Sequence, residues 1–131
     1  ELHSCARIVR YGADEIVEHA GQVPPGMTFL VSGQVQLTAT AEDGSVVPVT
    51  TLVQGSYLGL TTLTRQPNLA SAYALEEVTA LVIDREHLEQ IVMHEPLLLQ
   101  DFGRKLEERR SKVRQARGAT GSAEVARQLS Q

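Results

Sequence analysis

Histidine and cysteine are the side chains best suited to metal binding or nucleophilic catalysis, and their spacing in this chain favours neither. No two histidines form the short His-x-His pair expected of a metal centre inside a β-barrel. The single cysteine, Cys5, excludes a disulfide framework and has no base beside it in the sequence. We therefore expect Cys5 to be a small buried strand residue, and we expect no metal site. The scattered histidines are His3, His19, His87 and His94.

Two adjacent acidic pairs are the remaining candidates for acid–base catalysis. Glu42-Asp43 and Glu76-Glu77 both fall at or near predicted turns, where carboxylates are ordinarily solvated. The sequence therefore predicts that the protein is not an enzyme.

Charge is divided unevenly along the 131-residue chain. Residues 1–95 hold 12 acidic and 4 basic side chains, whereas residues 96–131 hold 4 acidic and 8 basic ones. The net charge of -4 argues against nucleic acid as a partner. The basic part is interpreted either as a solvated helix surface or as a lid or partner-binding helix docked against an acidic body.

Composition is typical of one soluble, intracellular domain with a tail. Apolar residues make up 42% of the chain, enough for a core at this length. No apolar run approaches the ~18–20 residues of a membrane span. The chain has no secretory leader and begins at Glu1, so we expect it to be a piece of a longer protein.

Short runs of strand-forming residues separated by turn signals occupy the chain from Cys5 to about Arg85. Strands at such spacing predict a β-sandwich or β-barrel. A hairpin turn is expected at Asp43-Gly44, because Asp-Gly readily adopts positive φ. The predicted strands cover residues 5–11, 15–18, 27–40 and 46–52.

The run 27–40 has the clearest alternation of apolar and polar residues. It predicts either a half-buried strand pair or one long bent strand. Gly33 inside it indicates a bulge or a tight bend. The apolar face of this run is predicted to consist of Phe29, Val31, Val35 and Leu37.

Two helices are predicted after the strands. Asp84 is a suitable N-cap for a helix over 85–93, and Pro96 suits the first turn of a second helix over 96–116. Arg109 and Arg110 interrupt the apolar face of the second helix. The glycine- and serine-containing stretch after residue 116 predicts a flexible tail over 117–131.

Four segments in a fixed order carry a family resemblance: RYGADEI at 10–16, MTFLVSGQV at 27–35, GSYLG at 55–59 and ALEEVTALVIDRE at 74–86. Their order and spacing resemble the cyclic nucleotide-binding domain family, over residues 5–116. The resemblance implies a mainly β fold with C-terminal helices. The implied fold comprises a jelly-roll-like β-roll over 5–85, a hinge helix over 85–93 and a lid helix over 96–116. All three lie in one domain over 1–116.

The phosphate-binding cassette of that family corresponds to residues 57–72. In the family, Phe-Gly-Glu leads into a short helix, and Pro-Arg-Ala/Ser-Ala closes the loop. The resemblance implies that the helix amino terminus and the arginine bind a cyclic phosphate, and that the glutamate binds the ribose 2′-hydroxyl. The candidate ligand-binding residues are Gly59, Leu60, Thr61, Thr62, Arg65, Asn68, Ala70 and Ser71.

The cassette departs from the family pattern at both polar anchors. It is one residue short, with Leu60 at the glutamate position and Asn68 at the arginine position. Leaving a buried phosphate without its partner costs about 3–5 kcal/mol, so binding of cAMP or cGMP is expected to be weak or absent. Arg65 is predicted to act as a substitute cation, and the alternative is a solvated loop residue.

The segments 63–67, 72–79 and 96–110 are similar to C-terminal regulatory domains of bacterial small-conductance mechanosensitive (MscS-type) channels. This resemblance implies a regulatory, ligand-sensing module that is fused to a channel on the cytoplasmic side of the cell membrane and forms a homo-oligomer in its host. Ligand binding would close the hinge and lid helices, and Arg109 and Arg110 either cap the pocket or face water. Two alternatives stay open: a ligand-free interaction or dimerisation domain, and the effector domain of a transcription regulator cut before its DNA-binding unit.

Overall fold

Eight strands followed by two helices form the computed structural model, which describes the backbone of residues 6–129 and the side chains of residues 6–118. Cys5, where the first strand was predicted to begin, lies outside the described residues, as do Ser130 and Gln131 of the predicted tail. The strands are β1 (Ala6–Tyr11), β2 (Ile16–Glu18), β3 (Gly26–Ser32), β4 (Val35–Thr40), β5 (Val46–Leu52), β6 (Tyr57–Leu58), β7 (Ser71–Ala74) and β8 (Val78–Asp84).

The strands pair into two antiparallel sheets that enclose the core. One sheet has the order β1-β8-β3-β6 and the other has the order β2-β7-β4-β5. Leu30 of the first sheet and Leu37 of the second are both fully buried in the same apolar cluster. Successive side chains of a strand point to opposite faces of the sheet, so only alternate residues enter the core. In β8, for example, every second residue from Val78 to Val82 is buried. The predicted mainly β roll with C-terminal helices is therefore confirmed.

One predicted strand face is wrong. Val35 and Leu37 are buried as expected, but in β3 the core residue is Leu30, whereas Val31 is 42% exposed. The reason is that β3 and β4 belong to different sheets, so the turn at Gly33 resets the phase of the alternation. Gly33 has a φ of 92°, and a Cβ there would lie 2.4 Å from the Glu77 carbonyl oxygen. The predicted bend at this glycine is present.

Helix α1 (Arg85–His94) starts at the predicted cap and ends one residue beyond the prediction. The Asp84 carboxylate accepts a hydrogen bond from the His87 backbone N–H at 2.9 Å. This contact satisfies one of the free donors of the first turn.

Helix α2 (Pro96–Leu129) does not end at residue 116 as predicted. Its backbone continues as helix through most of the segment predicted to be a flexible tail. Glycine lowers helix propensity by only about 1 kcal/mol, and no proline follows Pro96 to block the hydrogen-bond ladder. Neither described helix has a stretch apolar enough over sufficient length to cross a membrane.

Helix α2 is held against the roll by apolar side chains. Phe102 and Leu106 are buried in a cluster with Met27, Leu60 and Leu88. The Phe102 ring meets the Tyr57 ring edge-on, with 5.6 Å between the centroids. These contacts place the first third of α2 over the segment that follows β6.

Candidate ligand pocket

The segment 59–70, between β6 and β7, begins at a position that only glycine fits. Gly59 has a φ of 75°, and a Cβ there would lie 2.3 Å from the Gly26 carbonyl oxygen. The segment therefore leaves β6 in close contact with the start of β3.

The short helix that the family resemblance implies for the cassette is absent. Residues 60–65 instead form consecutive turns, with Thr62 N–H donating to the Gly59 carbonyl at 3.0 Å and Arg65 N–H donating to the Thr62 carbonyl at 3.3 Å. Arg65 itself has a left-handed φ of 55°. The cassette is one residue shorter than the family pattern and contains several β-branched threonines, and both features disfavour a regular helix. The amides of Thr62 and Arg65 therefore bond within these turns, and the segment offers no helix amino terminus.

A small cavity lies between this segment, β2 and α2. Its volume is ≈ 20 Å³. About 10–15 Å³ accommodates one water molecule, whereas ligand pockets usually measure about 300–1,000 Å³. The residues lining it are Glu18, Leu37, Leu58, Gly59, Leu60, Thr61, Asn68, Leu69, Ala70, Leu106 and Arg109. Helix α2 contributes Leu106 and Arg109 to this lining.

Five of the eight predicted site residues line the cavity, namely Gly59, Leu60, Thr61, Asn68 and Ala70. The other three lie outside its lining. Thr62 is buried beside it and donates its hydroxyl to the Pro24 carbonyl at 2.7 Å. Ser71 accepts a hydrogen bond from the Ala20 N–H through its hydroxyl at 3.0 Å. Arg65 is exposed, so the structure does not bring the predicted substitute cation to the cavity.

The two positions that depart from the family pattern have structural contacts. Leu60 is buried in the apolar cluster beneath α2. Asn68 donates its side-chain amide to the His19 carbonyl at 3.2 Å, and its backbone carbonyl accepts from the Gly21 N–H at 3.0 Å. Asn68 thus ties the segment to the loop after β2.

Glu18 and Arg109 bring opposite charges to the cavity. Sequence reasoning missed Glu18, because nothing local distinguishes it from a surface carboxylate at the end of a strand. For Arg109, the sequence allows two alternatives, namely that it caps the pocket or that it faces water. The structure shows that Arg109 is half-buried, lines the cavity and donates to the Tyr57 carbonyl at 2.6 Å.

Desolvation is the largest cause of the shifts in the pKa values of Glu18 and Arg109. Burial raises the pKa of Glu18 from its ordinary 4.5 to about 7, although Arg109 and a hydrogen bond from the Gly59 backbone N–H lower it. Burial also lowers the pKa of Arg109, which Glu18 and Glu108 partly offset. A guanidinium stays protonated at neutral pH, so the lining carries no net charge when Glu18 is ionised and one positive charge when it is not.

Thr61 adds a polar group to the same cavity. Its side chain is buried, and its Oγ1 has no hydrogen-bond partner among the described residues. Leaving a buried hydroxyl unpaired costs about 1–3 kcal/mol, so this atom is available to a polar group entering the cavity. Within the described part of the chain, no three His, Cys, Asp or Glu side chains are grouped as a metal site would require.

A two-sheet β-roll with a small cavity under a C-terminal helix, lined by mainly apolar side chains together with Glu18 and Arg109, defines the class of this domain. The family model for the cyclic nucleotide-binding domain matches residues 8–95, which is more than half of the chain. The chain therefore belongs to the cyclic nucleotide-binding domain family. A comparison with curated protein sequences finds no match.

Solved structures of the same fold include transcription regulators and kinase subunits. Thermus thermophilus catabolite activator protein is 22% identical with a TM-score of 0.71, over 94% of this chain and 55% of that one. The Thermotoga maritima transcriptional regulator TM1171 is 19% identical with a TM-score of 0.69, over 82% of this chain and 84% of that one. The regulatory subunit of a cAMP-independent protein kinase A from Trypanosoma cruzi, bound to guanosine, is 22% identical with a TM-score of 0.64, over 68% of this chain and 32% of that one. This chain thus spans about half of the Thermus protein and a third of the trypanosomal one.

Proposed function

We propose that this domain is a regulatory, ligand-sensing module whose pocket prefers an uncharged, hydroxyl-bearing ligand of the nucleoside type to cAMP or cGMP. The observation that carries the proposal is that Glu18 and Arg109 line one cavity, to which the cassette brings no cation. With this pocket, the domain would bind its ligand without the contacts to a cyclic phosphate that the cassette makes elsewhere in the family.

Charge balance argues for an uncharged ligand. With Glu18 ionised, the two charges of the lining offset each other, and a cyclic phosphate would bring an extra negative charge close to a carboxylate. Hydroxyl groups of a neutral ligand can donate to Glu18. They can also pair with the free Thr61 hydroxyl.

The trypanosomal kinase subunit supports this ligand class. It shares the fold, is described as cAMP-independent and holds guanosine. A nucleoside has the ribose and base of a cyclic nucleotide but lacks the phosphate, which matches a cassette with Leu60 and Asn68 at the family's anchor positions.

Sensing would work through displacement of α2. Leu106 and Arg109 of α2 line the cavity, and its volume of ≈ 20 Å³ is too small for a nucleoside, so a nucleoside fits only when this helix moves outward. Two hydrogen bonds oppose that movement: Arg109 to the Tyr57 carbonyl at 2.6 Å, and Arg110 to the Gln66 side chain at 2.9 Å. A ligand that prefers the opened form shifts the population towards it, and a segment attached beyond α2 would respond.

The attached effector is a separate part of the proposal. The transcription regulators among the structures of the same fold favour a DNA-binding effector over a membrane channel, and none of the structures described above is a channel. Attachment to an MscS-type channel, a position at the cytoplasmic face of the membrane, homo-oligomerisation and the absence of enzymatic activity stay predictions.

Calorimetric titration of guanosine into the wild type and the Glu18→Gln variant tests the proposed function. We expect saturable binding to the wild type. The variant should bind about tenfold more weakly, because a hydrogen bond to a charged group contributes about 1.5–3 kcal/mol. The control is Glu42→Gln, which removes an exposed carboxylate from a turn outside the cavity and should bind as the wild type does. Unchanged affinity in Glu18→Gln would remove Glu18 from the site.

A ligand-free interaction domain is the second candidate, favoured by the ≈ 20 Å³ volume of the closed cavity. Thermal melting separates the two candidates. A ligand at 100 times its dissociation constant stabilises the native state by about 2.7 kcal/mol. Melting temperatures that do not change with millimolar nucleosides or cyclic nucleotides would support the ligand-free candidate.

A further inference from the structure

We propose that a second site, a polar groove on the flank of α2, binds a small phosphate-bearing anion. The groove has a volume of ≈ 280 Å³, close to the lower end of the range for small-molecule pockets, and lies between α2 and the segment from β5 to β6. It is separate from the cassette cavity, with which it shares Arg109 as a lining residue.

Three cations of α2 converge on this groove. Lys105, Arg109 and Lys112 are spaced by four and three residues, which places them on one face of a helix. Lys105 is oriented by Tyr57, because its Nζ lies 5.9 Å from the centroid of that ring. Arg109 is held by its hydrogen bond to the Tyr57 carbonyl.

The positive charge of the groove is only partly neutralised by the protein. Glu108 is the one acidic residue in the lining, so the lining residues alone carry a net charge of +2, of which Glu18 in the neighbouring cavity offsets part through Arg109. Among residues 6–118, none of these cations has a carboxylate within ion-pair distance. Like charges three and four residues apart on a helix repel each other, so a bound anion would relieve this repulsion.

The opposite wall supplies neutral donors suited to phosphate. Thr50 and Ser56 line the groove from the sheet side and carry hydroxyl groups. Hydroxyls and cations around one small groove are the donors that phosphate oxygens accept from. The groove therefore fits a compact anion with several oxygens rather than an apolar ligand.

Titration of inorganic pyrophosphate into the full chain at low ionic strength tests this site. We expect saturable binding to the wild type and about tenfold weaker binding to the double variant Lys105→Gln/Lys112→Gln. Lys112→Gln alone changes one exposed side chain and should weaken binding about two- to threefold. The matched control is Arg104→Gln/Arg114→Gln, which removes the same charge from exposed positions of α2 outside the groove and should change affinity less than twofold.

Two results would overturn the proposal. One is the absence of saturable pyrophosphate binding to the wild type. The other is an equal loss of affinity in the groove variant and in the control, since that would show general attraction to a basic helix. Neither result bears on guanosine binding in the cassette cavity, so failure here is distinguishable from failure of the proposed function.

Discussion

Glu18 and Arg109 give the pocket its character at the scale of single residues. The carboxylate is desolvated beneath α2, and its pKa of about 7 places its charge change near neutrality. Arg109 is the other ionisable side chain in the described cavity lining. Whether the pocket is neutral or positive therefore depends on pH.

Protonation of Glu18 makes stability depend on pH. Between about 4.5, its ordinary pKa, and about 7, the folded state holds a proton that the unfolded chain releases. The folded state binds more protons in this window, so its stability falls as pH rises through it and then levels off. Glu18→Gln removes this effect and should be more stable than the wild type at pH 8 by roughly 3 kcal/mol.

Urea unfolding at pH 5 and pH 8 measures the effect. The advantage of Glu18→Gln over the wild type should grow by about 2–3 kcal/mol between the two pH values, and that of Glu42→Gln should not. An advantage of the same size at both pH values would show that Glu18 ionises normally in the folded state.

These residue roles were the least predictable from the sequence. Glu18 is desolvated by a helix about ninety positions further along the chain, and no local signal records that contact. Leu60 and Asn68 were identified as departures from the family pattern, but their packing and loop contacts are visible only in the folded chain.

At the scale of elements, the junction of β6 with the cassette depends on close backbone contact. Gly59→Ala forces a Cβ to within 2.3 Å of the Gly26 carbonyl oxygen and also carries the strain of a positive φ. Gly44→Ala is the matched control, because Gly44 has a φ of 89° but nothing within 4 Å of its Cβ position.

Both glycine variants should be less stable than the wild type. We expect about 1 kcal/mol for Gly44→Ala and clearly more, about 3 kcal/mol, for Gly59→Ala. Chemical denaturation of the two variants measures the difference. Equal losses would indicate that β3 and the cassette can move apart without penalty.

Apolar packing holds α2 against the roll beside the pocket. Phe102 is 7% exposed in the cluster beneath the helix, whereas Leu99, on the same helix, is 53% exposed. Phe102→Ala should lower the free energy of unfolding by about 3 kcal/mol, and Leu99→Ala should lower it by less than about 1 kcal/mol. Thermal melting compares the two, and similar losses would contradict the docked position of α2.

Local signals explain which elements were predicted correctly. The Asp43-Gly44 turn and the Asp84 cap depend on residues within three positions of each other, and both are present. The face of β3 and the absence of a cassette helix depend on sheet assignment and tertiary packing. A period of two cannot show that a turn has moved the chain into the other sheet.

At the scale of the whole molecule, the basic α2 packs on an acidic roll, and the proposed function requires it to move outward to admit a ligand. Arg110 helps to hold it closed from outside the cavity, through its hydrogen bond to Gln66. Removing this bond should favour the open form and raise the apparent affinity for a ligand that needs it.

Arg110→Gln should therefore bind guanosine about threefold more tightly than the wild type, given a hydrogen bond worth about 0.5–1.5 kcal/mol. Arg114→Gln, on the same helix, should not change the affinity. Calorimetry measures both, and weaker binding by Arg110→Gln would show that the ligand prefers the closed helix.

The preference for an uncharged ligand is tested most directly by comparing guanosine with cGMP at pH 8, since the two share base and ribose and differ in the cyclic phosphate. Glu18 is ionised at this pH, so the phosphate would meet a carboxylate without a cassette cation. We predict that the wild-type domain binds guanosine at least about tenfold more tightly than cGMP, which corresponds to about 1.4 kcal/mol. Equal or tighter binding of cGMP would contradict the account.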